Sequence, residues 1–147
     1  MVARVLMIAL LLYSYFEIKT RLPRLPPGIA TALWILLSVH ILGSAIFLSI
    51  PYLGRSFPQC LHFGRRKLSD YTPKQRDRIM PLLRNMAGLM GLLFGLFFAV
   101  NIRLLTADGA PSAHPRPLVW LPIGLVVGET AIALHYLRAF DKAAGKD

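Results

Sequence analysis

Four long apolar runs constrain the fold of this chain more than any other feature. They cover residues 2–16, 30–52, 82–105 and 118–137 of a 147-residue sequence. A helix needs about 20 residues to cross a hydrocarbon core, so the last three runs are long enough and the first is short. Charged residues make up only 16% of the chain, against about 25% in a soluble domain. The sequence therefore predicts an all-α polytopic membrane protein, a single domain over residues 1–147 with four transmembrane helices in one bundle.

The first run favours a retained helix over a cleaved signal peptide. Arg4 resembles the positive start of a signal peptide, but no small-x-small cleavage site follows it. The run leads instead into Tyr13, Tyr15 and Phe16, aromatic residues typical of a membrane interface. We therefore count it as the first of the four spans.

The basic residues are unevenly distributed between the two sides of such a bundle. Both termini and the middle loop, residues 54–80, share one side, and the linkers 17–28 and 106–117 share the other. Of 17 lysines and arginines, 12 fall on the first side and 5 on the second. Basic residues accumulate on the cytoplasmic side, so we expect a protein of a bacterial inner membrane with both termini in the cytoplasm. Topology thus accounts for the net charge of +10, and nucleic acid is not expected as a partner.

The middle loop is the only polar segment of any size. Thr72, Pro73 and Gln75 form a capping-box pattern, which predicts a helix that begins at Pro73 and continues into the third span. The loop is also strongly basic, which favours contact with anionic headgroups of the bilayer or docking of a cytosolic or peptide partner. The candidate residues for either role are Arg65, Arg66, Lys67, Lys74, Arg76 and Arg78.

Small residues recur every four positions in the third run, where Ala87, Gly91 and Gly95 share a face. The fourth run has Gly124 and Gly128 at the same spacing. Small residues let helix backbones approach closely inside lipid. We expect the third and fourth spans to pack along these stripes, or one of them to pack against a second copy or another subunit of a membrane complex.

Two ionisable residues fall near the middle of their spans. Glu129 lies in the fourth span and His40 in the second, at depths that permit contact between them. Such groups normally face the bundle or a wet cavity. They serve either as interhelical hydrogen-bonding groups or as a proton-linked or small-ligand site.

No pattern of metal, cofactor or catalytic residues occurs. The sequence has no His-x-x-x-His, no Glu-x-x-His, no cysteine pair, no phosphate-binding glycine loop and no Gly-x-Ser-x-Gly. We therefore expect no metal, no cofactor and no enzyme activity.

One resemblance is carried by residues 62–84. His62-Phe63-Gly64, the stretch from Ser69 to Arg78 and Leu82-Leu83-Arg84 resemble a bacterial multi-helix membrane family that includes immunity proteins against a sporulation-delaying peptide toxin. Leu22-Pro23-x-x-Pro26 also resembles that family's outer loop, one residue shorter and without the following His-Phe. The resemblance implies a membrane protein acting in immunity or signalling, and it assigns no site residue.

Two functional hypotheses follow. The first is a non-enzymatic membrane protein that acts in protection or signalling by binding a partner. The second is a small transporter or proton-linked subunit that uses Glu129.

The charge distribution generates a first test. Topology reporters fused at Asp147 and within the 106–117 linker should label opposite sides of the membrane, with the tail inside. A tail found outside would contradict the assigned orientation.

Overall fold

Four helices account for nearly all of the fold. The computed structural model describes residues 2–63, 66–107 and 116–145. The helices are α1 (Val2–Arg21), α2 (Pro27–Ser56), α3 (Pro73–Thr106) and α4 (Arg116–Ala143). The all-α prediction is confirmed, and each apolar run lies within one helix.

The segment between α2 and α3 has a small structure of its own. It contains 3₁₀ turns at Pro58–Cys60 and Leu68–Asp70, and a two-residue antiparallel pair of β1 (His62–Phe63) and β2 (Arg66–Lys67). A further 3₁₀ turn, Leu22–Arg24, joins α1 to α2. The middle loop is therefore folded on both sides of the hairpin.

Within the part of the chain that the structure describes, three helices are long and apolar enough to cross a membrane: Pro27–Ser56, Pro73–Thr106 and the Pro122–Ala143 part of α4. The first helix is not among them. Its apolar run is interrupted by Arg4 and followed by charged residues.

The capping prediction for α3 is confirmed. Thr72 is the N-cap, and its hydroxyl accepts a hydrogen bond from the backbone N–H of Gln75. The Gln75 side-chain oxygen accepts one from the Thr72 N–H at 3.0 Å. Two N–H groups at the helix start are thereby satisfied, and this fixes where the helix begins.

The third helix is the centre of the bundle, because α1, α2 and α4 all pack against it. The first helix runs parallel to it, with Met7 beside Gly91 and Leu10 beside Gly95. The second runs antiparallel, with Phe47 beside Gly91 and His40 beside Gly95. The glycine face of α3 is therefore shared by α1 and α2.

The third and fourth helices pack together as predicted, but the predicted pairing of their two small-residue stripes is wrong. Gly91 and Gly95 face α1 and α2, whereas the fourth helix meets α3 elsewhere, with Gly128 against Leu93. No heavy atom of the described residues lies within 4 Å of a Cβ built on Gly124. The physical reason is that the spacing shows which residues share a face, while the choice of neighbouring helix is decided by the whole bundle. Ala87 is buried on the central helix.

Gly91 and Gly124 form a matched pair for testing this packing. A Cβ on Gly91 would lie 2.5 Å from Met7 Cε and 2.9 Å from Phe47 Cβ, so Gly91→Leu must push two helices apart. We expect it to lower the free energy of unfolding by about 1–3 kcal/mol or more. Gly124→Leu should be tolerated. Thermal unfolding in detergent measures both, and equal losses would contradict the assigned glycine face.

Candidate functional site

The proposed pair of His40 and Glu129 is not joined in the structure. Both ring nitrogens of His40 and Oε1 of Glu129 are buried, yet none has a hydrogen-bond partner among the described residues. The second and fourth helices each pack on α3 and make few contacts with one another. No hydrogen bond therefore joins the two residues, although their depths in the sequence permit a contact.

His40 occupies an aromatic pocket. Its ring stacks on Phe98, with centroids 5.5 Å apart, and meets the edge of Phe94 at 6.4 Å. The side chain is fully buried, and its Nε2 lies 3.3 Å from a Cβ built on Gly95. The absence of a side chain on Gly95 therefore makes room for the imidazole. These contacts favour a packing role for His40.

Glu129 is half-buried on α4, next to Gly128, where the fourth helix contacts Leu93 of α3. Its Oε1 is enclosed without a hydrogen bond from a described residue. The structure thus leaves one carboxyl oxygen buried and unpaired at a helix–helix contact.

An ionic contact that the sequence reasoning missed lies near the C-terminal end of α1. Oε1 of Glu17 accepts hydrogen bonds from Arg103 Nη1 at 2.6 Å and from Thr106 Oγ1 at 3.1 Å. Arg21 Nε lies 3.8 Å from the same oxygen. A signal for this contact was present, because Glu17 follows the first apolar run and Arg103 lies near the end of the third, on the same predicted side.

Glu17 lies just beyond the first apolar run. Burial opposes its ionisation, but the hydrogen bonds from Arg103 and Thr106 and the charges of Arg103 and Arg21 outweigh that effect. Together they hold the pKa of Glu17 below its ordinary value. The contact therefore links the C-terminal end of α1 to the C-terminal end of α3.

The basic candidates of the middle loop divide into two groups. Arg66, Lys67, Lys74 and Arg78 are exposed. Arg76 is half-buried and braces the loop, since its Nε donates to the Tyr71 carbonyl at 2.8 Å and its Nη2 donates to the Ser69 carbonyl at 3.1 Å. Arg65 lies outside the described residues.

The loop is also tied to the C-terminal end of α4. Gln75 Nε2 donates to the Ala144 carbonyl at 2.6 Å. Beneath this bond a buried cluster joins the loop, α3 and α4, formed by Leu68, Tyr71, Ile79, Leu83, Phe140 and Ala144. The exposed basic side chains therefore project from a loop whose conformation these contacts hold in place.

Among the described residues, no group of three or more His, Cys, Asp or Glu side chains is arranged to hold a metal ion. No family model, curated protein or solved structure matches the chain. The resemblance of residues 62–84 to the immunity-protein family therefore stays a prediction.

The Glu17–Arg103 contact generates a pH-dependent test. Its carboxyl pKa is lower in the folded state, so its stabilisation is complete above the ordinary glutamate pKa and is lost as the pH falls through the lowered value. In a double-mutant cycle, Glu17→Gln and Arg103→Gln should couple by about 1 kcal/mol at neutral pH, a typical value for a hydrogen-bonded surface pair.

The coupling is measured by thermal unfolding at neutral and acidic pH. Arg24→Gln is the matched control, because Arg24 is exposed on the same side of the bundle. It should show no coupling with Glu17→Gln. A Glu17–Arg103 coupling that is unchanged in acid would contradict the assigned role of the carboxylate.

Proposed function

We propose that this protein is a four-span integral protein of a bacterial inner membrane, with both termini in the cytoplasm. It acts without catalysis, by binding a partner at the folded middle loop in a protective or signalling role. The proposal depends mainly on one observation: the middle loop has a fixed conformation that holds its exposed basic side chains on a defined surface.

Large exposed apolar side chains support membrane placement. Ile35 and Leu42 of α2 are 60% and 65% exposed, and Val126 and Val127 of α4 are each 63% exposed. Soluble monomers rarely leave such continuous apolar surface in water. Lipid tails would cover these faces and remove the unfavourable free energy of exposing apolar surface to water.

The alignment of α1 with α3 supports a fourth span. Ala3 lies beside Gly88 near the start of α1, and Glu17 binds Arg103 near its end. The first helix therefore accompanies the apolar part of α3 along its length. Its 20 residues extend about 30 Å at 1.5 Å per residue; the apolar run 2–16 accounts for about 22 Å of this, and the long side chains of Lys19 and Arg21 can reach from its end to the interface. A helix held parallel to a spanning helix in this way spans with it.

The shape of the middle loop supports binding. A loop that served only to hold positive charge in the cytoplasm would need no fixed conformation. Here the hairpin, the Thr72 cap, the Arg76 brace and the Gln75 bond hold a defined surface. Lys74 and Arg78 stand exposed on the first turns of α3. An acidic surface on a protein partner complements that charge.

A second candidate function is proton-linked transport through Glu129. The buried, unpaired Oε1 of that residue favours it. Intramembrane carboxylates commonly mark ion or proton pathways. Against it, no hydrogen bond from a described residue connects Glu129 to another polar group.

Site-specific photo-crosslinking in cells tests the binding proposal. A photoreactive residue at position 74 should give one discrete protein adduct, and Arg78→Glu should weaken that adduct by about fivefold or more because it reverses a charge beside the probe. The matched control carries the probe at position 127, on the exposed apolar face of α4. Equal adducts from both positions, or none from position 74, would contradict the proposal.

Glu129→Gln separates the two functions. The substitution keeps hydrogen-bonding capacity and removes the charge. For a binding protein, the position-74 adduct should be unchanged. Proton flux in reconstituted vesicles that Glu129→Gln abolishes would instead establish the transport function.

A further inference from the structure

A cleft lined by arginines opens where α1 begins, α2 ends and α3 begins. Its volume is about 540 Å³. Four arginines line it, one from α1, one from α2 and two from α3, together with a single carboxylate: Arg4, Arg55, Arg76, Arg84 and Asp77. The lining therefore has a formal excess of positive charge, supplied by three different helices.

Three of these arginines have no polar partner among the described residues. Arg4, Arg55 and Arg84 make no hydrogen bond or ion pair with any described residue. Arg76 uses Nε and Nη2 on loop carbonyls, as described above. Unlike Arg103, whose charge is matched by Glu17, the cleft arginines leave their donor groups available to a ligand.

Much of the remaining lining is apolar, and Leu48 lies about two helical turns further into α2 than Arg55. Leu48 and Pro51 contribute from α2, and Met80 and Pro81 contribute from α3. A ligand that fits must therefore combine an anionic head with an apolar body. Guanidinium groups match phosphate oxygens in a planar, bidentate manner. Basic pockets between spanning helices are known to hold phospholipid headgroups.

We propose that this cleft binds an anionic phospholipid, with the headgroup phosphate among Arg4, Arg55 and Arg84 and an acyl chain along Leu48. The site is separate from the exposed loop surface that carries Lys74 and Arg78. It rests on the membrane placement proposed above and is independent of any protein partner.

Native mass spectrometry of the full chain in neutral detergent tests the proposal. The protein is titrated separately with cardiolipin, phosphatidylglycerol and phosphatidylcholine. The anionic lipids should bind at least about tenfold more tightly than phosphatidylcholine, because the choline cation of that lipid cancels the charge of its phosphate and is repelled by the cleft arginines. The double variant Arg4→Gln/Arg84→Gln should lose about tenfold or more of that affinity.

The matched control is Lys74→Gln/Arg78→Gln, which removes the same charge outside the cleft. It should change anionic-lipid affinity by less than about threefold. Equal losses from both double variants would mean general surface attraction and would overturn the site. Equal binding of phosphatidylcholine and the anionic lipids by the unaltered protein would also overturn it, while leaving the membrane placement intact.

Two further arms complete the test. Inorganic phosphate is added as a competitor, and complete displacement of lipid at millimolar phosphate would overturn the proposal in favour of a soluble anion. Unfolding of each variant is measured in lipid-free detergent. If Arg4→Gln/Arg84→Gln unfolds, the pair Arg4→Lys/Arg84→Lys replaces it. That pair keeps the charge without the bidentate fork and should still lose affinity several-fold, whereas full retention would overturn the assigned contact.

Discussion

Close approach of three helices at the glycine face of α3 determines where the rest of the chain lies. Gly88, Gly91 and Gly95 admit Ala3, Met7 and Leu10 of α1, and the last two also admit Phe47 and His40 of α2. In the membrane placement proposed above, helices gain no hydrophobic free energy by pairing, so closely fitted dispersion contacts must stabilise them. Once α1 and α2 occupy this face, α4 is left with another side of α3, and its outer surface stays exposed.

Different non-covalent interactions stabilise the two ends of the bundle. Ion pairing joins α1 to α3 at Glu17 and Arg103. At the opposite end, apolar packing of Phe140 and Ala144 against the middle loop holds α4. The loop is therefore part of the fold and also the platform on which its basic side chains stand.

Local features of the sequence predicted local structure well. The apolar runs are helices, and the Thr72 cap starts α3 where its residue types require. Long-range pairing was less accessible. The spacing of Gly91 and Gly95 identified a packing face but not its neighbour, and equal depth for His40 and Glu129 did not show whether a hydrogen bond joins them. Glu17 and Arg103 are 86 positions apart, and only their shared side of the membrane linked them.

Arginine has opposite roles at the two ends of this molecule. Arg103 sits beside a carboxylate from α1, so its charge is matched within the protein. Arg4, Arg55 and Arg84 converge on a cleft whose only carboxylate, among the described residues, is Asp77. Like charges held together repel unless counterions or a ligand compensate them. A fold that gathers these side chains from three helices therefore favours an anion from outside the chain, and in the membrane placement proposed above the headgroups of the bilayer supply one.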